Sequence, residues 1–395
     1  MKVLLANDTR CSNHPGCSAT VTGLLDMLGR RGMSELISWP VGFASELLAE
    51  IDGAFEPVSR TRMVRRALSQ AWSAVSPAQG QVSSTQAFRQ VRARAFSTPA
   101  WERLLNSLRA EPGICNAIDW CDTLVVNGEG TIHHNGYRAQ VLLALVRLAR
   151  ERNRRVWVVN ATIEAMDRQL IDEGLRHAHH IAVRDVYSLQ YLQSFGLSCV
   201  QASDAAFAAP YWLTKAQDWR VETPGGRPRC LISAGDELGM EFVVQLINGV
   251  QAAGYQPVYC WLDEFDRDAY LYCRRNAIPA VRSDAVPWQC FPGYIKQFDL
   301  CVSGRHHLNV FCLVAGLPFV ALPANTWKVE GTLNLVQYTE PTVGNLAELA
   351  NRLARGGIAA GFDFAAAAAH AKQLANRMLD VPSQAPAATS DTVAA

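Results

Sequence analysis

The sequence predicts an α/β chain folded as two parallel-sheet domains that face each other across a cleft. Three observations carry this. At 395 residues the chain exceeds one ordinary domain and suits two. Short β-branched runs alternate with longer stretches of helical spacing, the pattern of parallel sheets covered by helices. Near the middle, Thr214–Arg229 turns to Trp, Lys, Thr, Pro and Gly, including Thr223-Pro224-Gly225-Gly226, which is linker composition.

In chain order, Val3–Ala6 is the first strand, followed by a polar loop and a helix near Ala19–Arg30. Thr123–Asn127 is a strand that stops at Gly-Glu-Gly-Thr. Arg138–Arg152 carries Val141, Leu142, Leu145 and Leu148 at helical spacing. Val156–Asn160 and Ile181–Val183 are strands, Tyr187–Phe195 is a helix, and Ser198–Gln201 is a strand ending at Ser203-Asp204. Beyond the linker, Cys230–Ser233, Pro257–Trp261, Leu300–Ser303 and Pro318–Leu322 are strand-like, with helical runs such as Glu241–Ala253 between them. Leu346–Leu379 is Ala-rich and helical, and 382–395 is a Pro/Ser/Ala/Thr tail. The domain division is then 1–213, a linker at 214–229, 230–342, C-terminal helices at 343–381 and the tail. The architecture is two Rossmann-like domains facing a cleft.

Composition narrows the function. Hydrophobic residues make up 49% and charged residues 18%, which supports a large core and excludes global disorder. With 37 basic against 36 acidic residues there is no global polyanion-binding surface. No stretch is apolar for the ~18 residues a membrane span requires. The first residues read as a strand rather than a secretory signal, and 11 scattered cysteines without a C-x-x-C pair fit reduced thiols, so a cytoplasmic enzyme is expected. The segment 57–100 holds Arg60, Arg62, Arg65, Arg66, Arg89, Arg92 and Arg94 and no acidic residue, a basic insertion that reads either as a peripheral contact with an anionic membrane or as a solvated insertion. It lacks interleaved stacking aromatics, so nucleic acid is not an expected partner.

In doubly wound sheets ligands sit beyond the carboxyl ends of the strands, so chemistry is sought in the strand-end loops. In Asn7–Cys17, small and polar residues let backbone N–H groups approach an anion, with Asn7, Asp8, Thr9 and His14 as candidate contacts; an ordinary turn with a helix cap fits equally. In Asn127-Gly128-Glu129-Gly130-Thr131-Ile132-His133-His134, glycines on both sides project Glu129 from a tight turn, and a carboxylate there must meet a cation, a donor or a substrate. Acid/base or nucleophilic work by Glu129 fits better than metal binding, since adjacent His133 and His134 poorly share one ion and no full ligand set is visible. Gly128, Gly130, Thr131 and His133 join the candidate substrate contacts. Arg184 suits a phosphate or carboxylate, while Asp185 reads first as a helix cap. Asp204 is a second strand-end carboxylate, open to a capping reading. Ser303-Gly304-Arg305-His306-His307 at a helix start suits a phosphate-bearing ligand, with Lys328 and Glu330 following the next strand.

Asn127-Gly128-Glu129-Gly130, Val183-Arg184-Asp185 with Ser188 and Leu192, Ser203-Asp204-Ala205-Ala206-Phe207, and Ser303-Gly304-Arg305-His306-His307 through Gly316-Leu317-Pro318 together resemble the polysaccharide pyruvyl transferase superfamily over about residues 120–335. The resemblance implies a glycosyltransferase B fold and a role in bacterial surface polysaccharides such as lipopolysaccharide or capsule. Where pyruvyl transferases have plain glycines, this chain has Gly128-Glu129-Gly130, which is similar to the retaining β-Kdo glycosyltransferases. That likeness implies CMP-Kdo as donor, double displacement with Asp204 as nucleophile and Glu129 as acid/base, and a metal-free CMP phosphate site at Arg305, His306 and His307. A glycan acceptor, lipid-linked in one version, completes the expected partners. The alternatives are pyruvyl transfer from phosphoenolpyruvate, with Glu129 as general acid, and a non-catalytic sugar-binding subunit.

Overall fold

The computed structural model describes residues 1–11, 14–40, 96–213, 219, 226–235, 238–355 and 359–381. Most of the basic segment (57–95), most of the linker and the tail at 382–395 lie outside the described residues. Among the described residues no helix is long and apolar enough to cross a membrane.

The first sheet has six parallel strands. They are β1 (Lys2–Asp8), β2 (Glu35–Pro40), β3 (Thr123–Asn127), β4 (Arg155–Ala161), β5 (His180–Val183) and β6 (Val200–Gln201), in the order β2-β1-β3-β4-β5-β6. Helices α1 (Pro15–Arg30), α2 (Thr98–Ala110), α3 (Pro112–Trp120), α4 (Tyr137–Glu151), α5 (Arg168–Glu173) and α6 (Val186–Gln193) cover it. The central strands β1, β3, β4 and β5 are buried on both faces, which is why they read as near-continuous apolar runs. Side chains alternate between two cores: Leu4, Ala6, Leu124 and Val126 enter one, whereas Val3, Leu5 and Val125 enter the other.

The second sheet has five parallel strands. These are β7 (Arg229–Ser233), β8 (Gln256–Trp261), β9 (Ala280–Arg282), β10 (Leu300–Ser303) and β11 (Phe319–Ala321), in the order β11-β10-β7-β8-β9. Their helices are α7 (Met240–Ala252), α8 (Arg267–Arg275), α9 (Phe291–Ile295), α10 (His306–Ala315) and α11 (Lys328–Leu335). Helix α10 ends at Gly316 with φ 72°, a left-handed cap that glycine adopts without strain.

The C-terminal run, expected as one helical segment, is two helices, α12 (Leu346–Ala354) and α13 (Phe364–Asn376). The interruption has local causes. Gly361 takes φ 78°, and Asp363 starts α13 by accepting from Ala366 N at 2.9 Å. Helix α13 returns to the first sheet's domain, where Arg30 Nη2 donates to Asn376 Oδ1 at 2.9 Å and His180 Nε2 meets Met378 O at 2.8 Å. Strands β2 and β9 and helices α2 and α3 lay outside the sequence reading. Short, half-exposed β2 and β9 carry no apolar run long enough to signal a strand.

Each sheet reverses its winding once, between β1 and β3 in the first and between β7 and β10 in the second. At such a switch point the two loops leave in opposite directions and open a crevice. The loops so placed are Asn7–Thr9 with Asn127–Gly130 on one side, and Ser303–Arg305 on the other. Helix α1 connects the halves. It lies so close to the Ala205–Ala208 turn that a Cβ on Gly23 would collide with the Ala205 carbonyl oxygen. Helix propensity alone favours alanine at a mid-helix glycine by roughly 1 kcal/mol. Here Gly23→Ala is expected instead to destabilise the protein by about 1–3 kcal/mol, read from urea midpoints at unchanged slope.

Candidate active site

Three asparagines tie the strand ends of the first sheet. Asn7 Nδ2 donates to Asn127 O at 2.6 Å, Asn127 Nδ2 returns a bond to Asn7 O at 3.2 Å, and Asn160 Nδ2 donates to Asn127 Oδ1 at 3.0 Å. Asn7 and Asn160 take φ 68° and 56°, left-handed values that asparagine tolerates better than most residues. In the turn that follows, the strained residue is the carboxylate: Glu129 sits at φ 32°, and neither flanking glycine has positive φ. Gly128 is required for another reason, because its Cβ would strike Ala161 on the neighbouring strand. Holding Glu129 off its preferred backbone costs on the order of 1–3 kcal/mol. Thr9 Oγ1 and Asn127 Nδ2 fix its Oε2 at 2.8 and 3.3 Å, so Oε1 faces His307 Nε2 at 3.6 Å.

Asp204 is 1% exposed, and both its oxygens are engaged. Oδ1 accepts from Ala206 N at 2.8 Å and from Thr20 Oγ1 at 3.1 Å. Oδ2 pairs with Arg184 Nη1 and meets His306 Nε2 at 3.0 Å. Burial by itself would raise this carboxyl, but the Arg184 guanidinium and the bonds from His306 and His307 hold it well below the carboxylate range. Burial, then Arg184, pushes His306 down to about 3, so its ring is neutral and gives Nε2–H to Asp204. Arg184 is 1% exposed, and its Nε donates to Thr162 Oγ1 at 2.9 Å. Asp185 caps α6, accepting from Ser188 N at 2.7 Å, as the capping reading expects.

On the opposite wall, Arg305 N donates to Ser303 Oγ at 2.9 Å in the turn that leads into α10. The guanidinium grips Asp263 with two bonds of 3.0 Å and Asp266 with a third contact of 3.0 Å. Burial pushes Arg305 down to about 9 and Asp266 up to about 6, while burial and then Asp266 push Asp263 up to about 7. The direct ion pairs oppose all three shifts. Lys328 Nζ donates to Asn325 Oδ1 at 2.6 Å. Arg184 Nη2 and Lys328 Nζ each lie 3.7 Å from where a Gly130 Cβ would stand, so a side chain there would lie beside both cations.

These groups enclose a cavity of about 150 Å³ lined by His14, Cys17, Glu129, Gly130, Arg184, Asp263, Arg305, His306, His307 and Lys328, among others. Residues 79–325 match the polysaccharide pyruvyl transferase family. The chain belongs to that family. Comparison with curated proteins gives no match. Among solved structures, the UDP-GlcNAc 2-epimerase of Methanocaldococcus jannaschii in complex with UDP-GlcNAc and UDP superposes with a TM-score of 0.52 at 12% identity, covering 92% of this chain and 94% of that one. The UDP-N-acetylglucosamine 2-epimerase of Rickettsia bellii gives 0.52 at 9% identity, covering 96% and 95%. At such identities the likeness concerns the fold, which is the expected pair of Rossmann-like domains of the glycosyltransferase B type. Membership makes this pyruvyl transferase family protein a polysaccharide-modifying enzyme.

Of the residues singled out in the sequence, His14, Glu129, Gly130, Arg184, Gly304, Arg305, His306, His307 and Lys328 line the cavity. Asn7, Asp8, Thr9, Gly128, Thr131, His133, Ser303 and Glu330 do not. Asp8 pairs with Arg10, Thr131 accepts from Asn7, and Thr9 holds Glu129. His133 turns to Gly130 O at 2.9 Å and His134 Nδ1 at 2.7 Å, so it braces the turn. Asp204 stands behind the wall that the histidines form. Cys17, Asp263 and Asn325 line the cavity without having been singled out. Thr20 lies behind it.

His14, Cys17 and His307 bring potential metal-ligand atoms within 4.8 Å of one another, as do Asp204, His306 and His307. The donor chemistry fits a metal poorly. His14 Nδ1 already accepts from Gly16 N at 3.0 Å, so coordination through Nε2 would forfeit that helix cap, and Asp204 is committed to Arg184. Removing the Asp204 charge leaves Arg184 buried without its counter-ion. Asp204→Ala is expected to lose about 3–5 kcal/mol of stability in urea unfolding, whereas Glu129→Gln should change stability far less.

Proposed function

We propose that this family member forms a pyruvate ketal on a glycan, with phosphoenolpyruvate as donor. The observation that carries this reading is the burial of Asp204. Double displacement on CMP-Kdo needs a carboxylate oxygen that can reach the anomeric carbon. Asp204 could do so only by breaking its pair with Arg184 and its bonds to Thr20, His306 and Ala206. Pyruvyl transfer needs no such nucleophile. It needs cations for a phosphate and a carboxylate, a proton donor and a base, and Arg184, Arg305, Lys328, His307 and Glu129 offer these around one compact cavity.

In this scheme Glu129, as general acid, gives its proton to the methylene carbon of the enol, and C2 becomes an electrophilic oxocarbenium carbon. A sugar hydroxyl adds there and loses its proton to Glu129. Phosphate departs with the electron pair of the C2–O bond, and the second hydroxyl closes the ketal. Of the two hydroxyl protons, one replaces that spent on the methylene carbon and the other leaves with phosphate, so no oxidant, reductant or metal enters the balance. In this reading Arg305 and Lys328 neutralise the departing phosphate, and Arg184 receives the donor carboxylate.

The β-Kdo reading keeps one support, the Glu129 carboxylate between its glycines, and a donor screen separates the two. Purified protein with a glycan mixture is expected to release inorganic phosphate from phosphoenolpyruvate and to give products heavier by a pyruvate ketal. Release of CMP from CMP-Kdo, with phosphoenolpyruvate untouched, would reject the proposal. Glu129→Gln is expected to lower kcat by roughly 10²–10⁴ with little change in KM for the donor.

A further inference from the structure

Thr20 lies in the second turn of α1 and is wholly buried. Its Oγ1 is 3.1 Å from Asp204 Oδ1 and 3.1 Å from His307 Nε2. A hydroxyl has a single proton to give. Asp204 is ionised by Arg184 and accepts from every partner it has, so its contact with Thr20 is a hydrogen bond only if the threonine donates. The threonine oxygen is then an acceptor towards His307, and Nε2 of that ring must carry hydrogen.

The other side of the ring agrees. His307 Nδ1 lies against the backbone of Gly16, in the first turn of α1, so closely that a Cβ on Gly16 would collide with the imidazole. The N-terminal end of a 16-residue helix is positive and favours a lone pair over a proton on the nitrogen it faces. We infer that Thr20 is a positioning residue that fixes neutral His307 as the Nε2-protonated tautomer. The proton is thereby held on the nitrogen that lies 3.6 Å from Glu129 Oε1. His306 supplies an internal reference, because its Nε2 faces the same ionised Asp204 at 3.0 Å and carries hydrogen for the same reason. Cys17, His14, His306, Glu129 and Asp204 are the titratable groups around His307.

The tautomer is independent of the donor; only its kinetic consequence rests on the proposed reaction. Full-length protein labelled with ¹⁵N-histidine, without substrate and at mildly alkaline pH, reports it through long-range ¹H–¹⁵N correlations. The His307 signal is assigned by its loss in His307→Gln. The expected result is a protonated Nε2 and a bare Nδ1 in the wild type, a mixture of tautomers in Thr20→Val, and the wild-type pattern in Thr20→Ser. With phosphoenolpyruvate, Thr20→Val should lose about 10-fold or more in kcat at nearly unchanged donor KM, and Thr20→Ser should recover most of it. A wild-type His307 protonated at Nδ1, or on both nitrogens, overturns the inference, as does an unchanged tautomer in folded Thr20→Val. If Thr20→Val does not fold, the wild-type spectrum decides alone. Failure of phosphoenolpyruvate turnover with the expected spectrum would remove the donor assignment and leave the tautomer standing.

Discussion

A carboxylate withdrawn from water must be matched by positive charge and hydrogen bonds or be neutralised, and Asp204 is matched from both halves of the molecule. Arg184, Ala206 and Thr20 reach it from the first domain, and His306 reaches it from the second. The relative placement of the two sheets at the cleft is therefore tied to one buried charge. Opening the domains would expose Asp204 to water on one side and strip Arg184 of part of its environment. Around this fixed point the catalytic candidates are arranged: Arg184 is held below, His307 beside, and Glu129 across from the His307 ring.

The fold was readable because buried parallel strands leave apolar runs with polar residues immediately after them, and those polar residues mark the crevice. That rule found Glu129, Arg184, Arg305 and the paired histidines. It gave the position of Asp204 but not the partners that engage it. Strand-end placement says that a side chain points towards the crevice, but not whether another residue fills the space in front of it. The partners that occupy Asp204 are Arg184, 20 residues earlier, and His306, 102 residues later. Thr20 was invisible for the same reason, since a threonine inside an apolar helix face looks like packing until its neighbours across the fold are known. Asp263 sits two residues past the end of β8, where the strand-end rule reaches it, but no distinctive residue type drew attention to that loop. Its place in the cavity lining and its bidentate grip on Arg305 reveal its part in the site.

Local strain and close packing are concentrated in the same region. Glu129 occupies a left-handed backbone position that glycine would take without cost, while the adjacent glycines serve close approach to Ala161 and to two cations. A sequence with glycine at position 129 would fold more easily there and lose the cavity-lining carboxylate that faces His307. The strain is thus maintained by the Thr9 and Asn127 bonds to Oε2, which also prevent Glu129 from rotating towards the nearby cations.

The cations of the cavity are not equivalent in what holds them. Arg184 answers to Asp204, which is sealed from solvent, so this pair persists whatever enters the cleft. Arg305 answers to Asp263, whose side chain retains 26% of its exposure and whose carboxyl is pushed up to about 7 by burial and then by Asp266. An anion arriving at Arg305 meets a partner that is partly open to solvent, whereas at Arg184 it would meet one that is fully buried. The fully buried pair therefore sets geometry, and Arg305 is compensated by the partly exposed Asp263 together with the buried Asp266. The cavity can in this way hold several positive groups together without leaving an unmatched charge when it is empty.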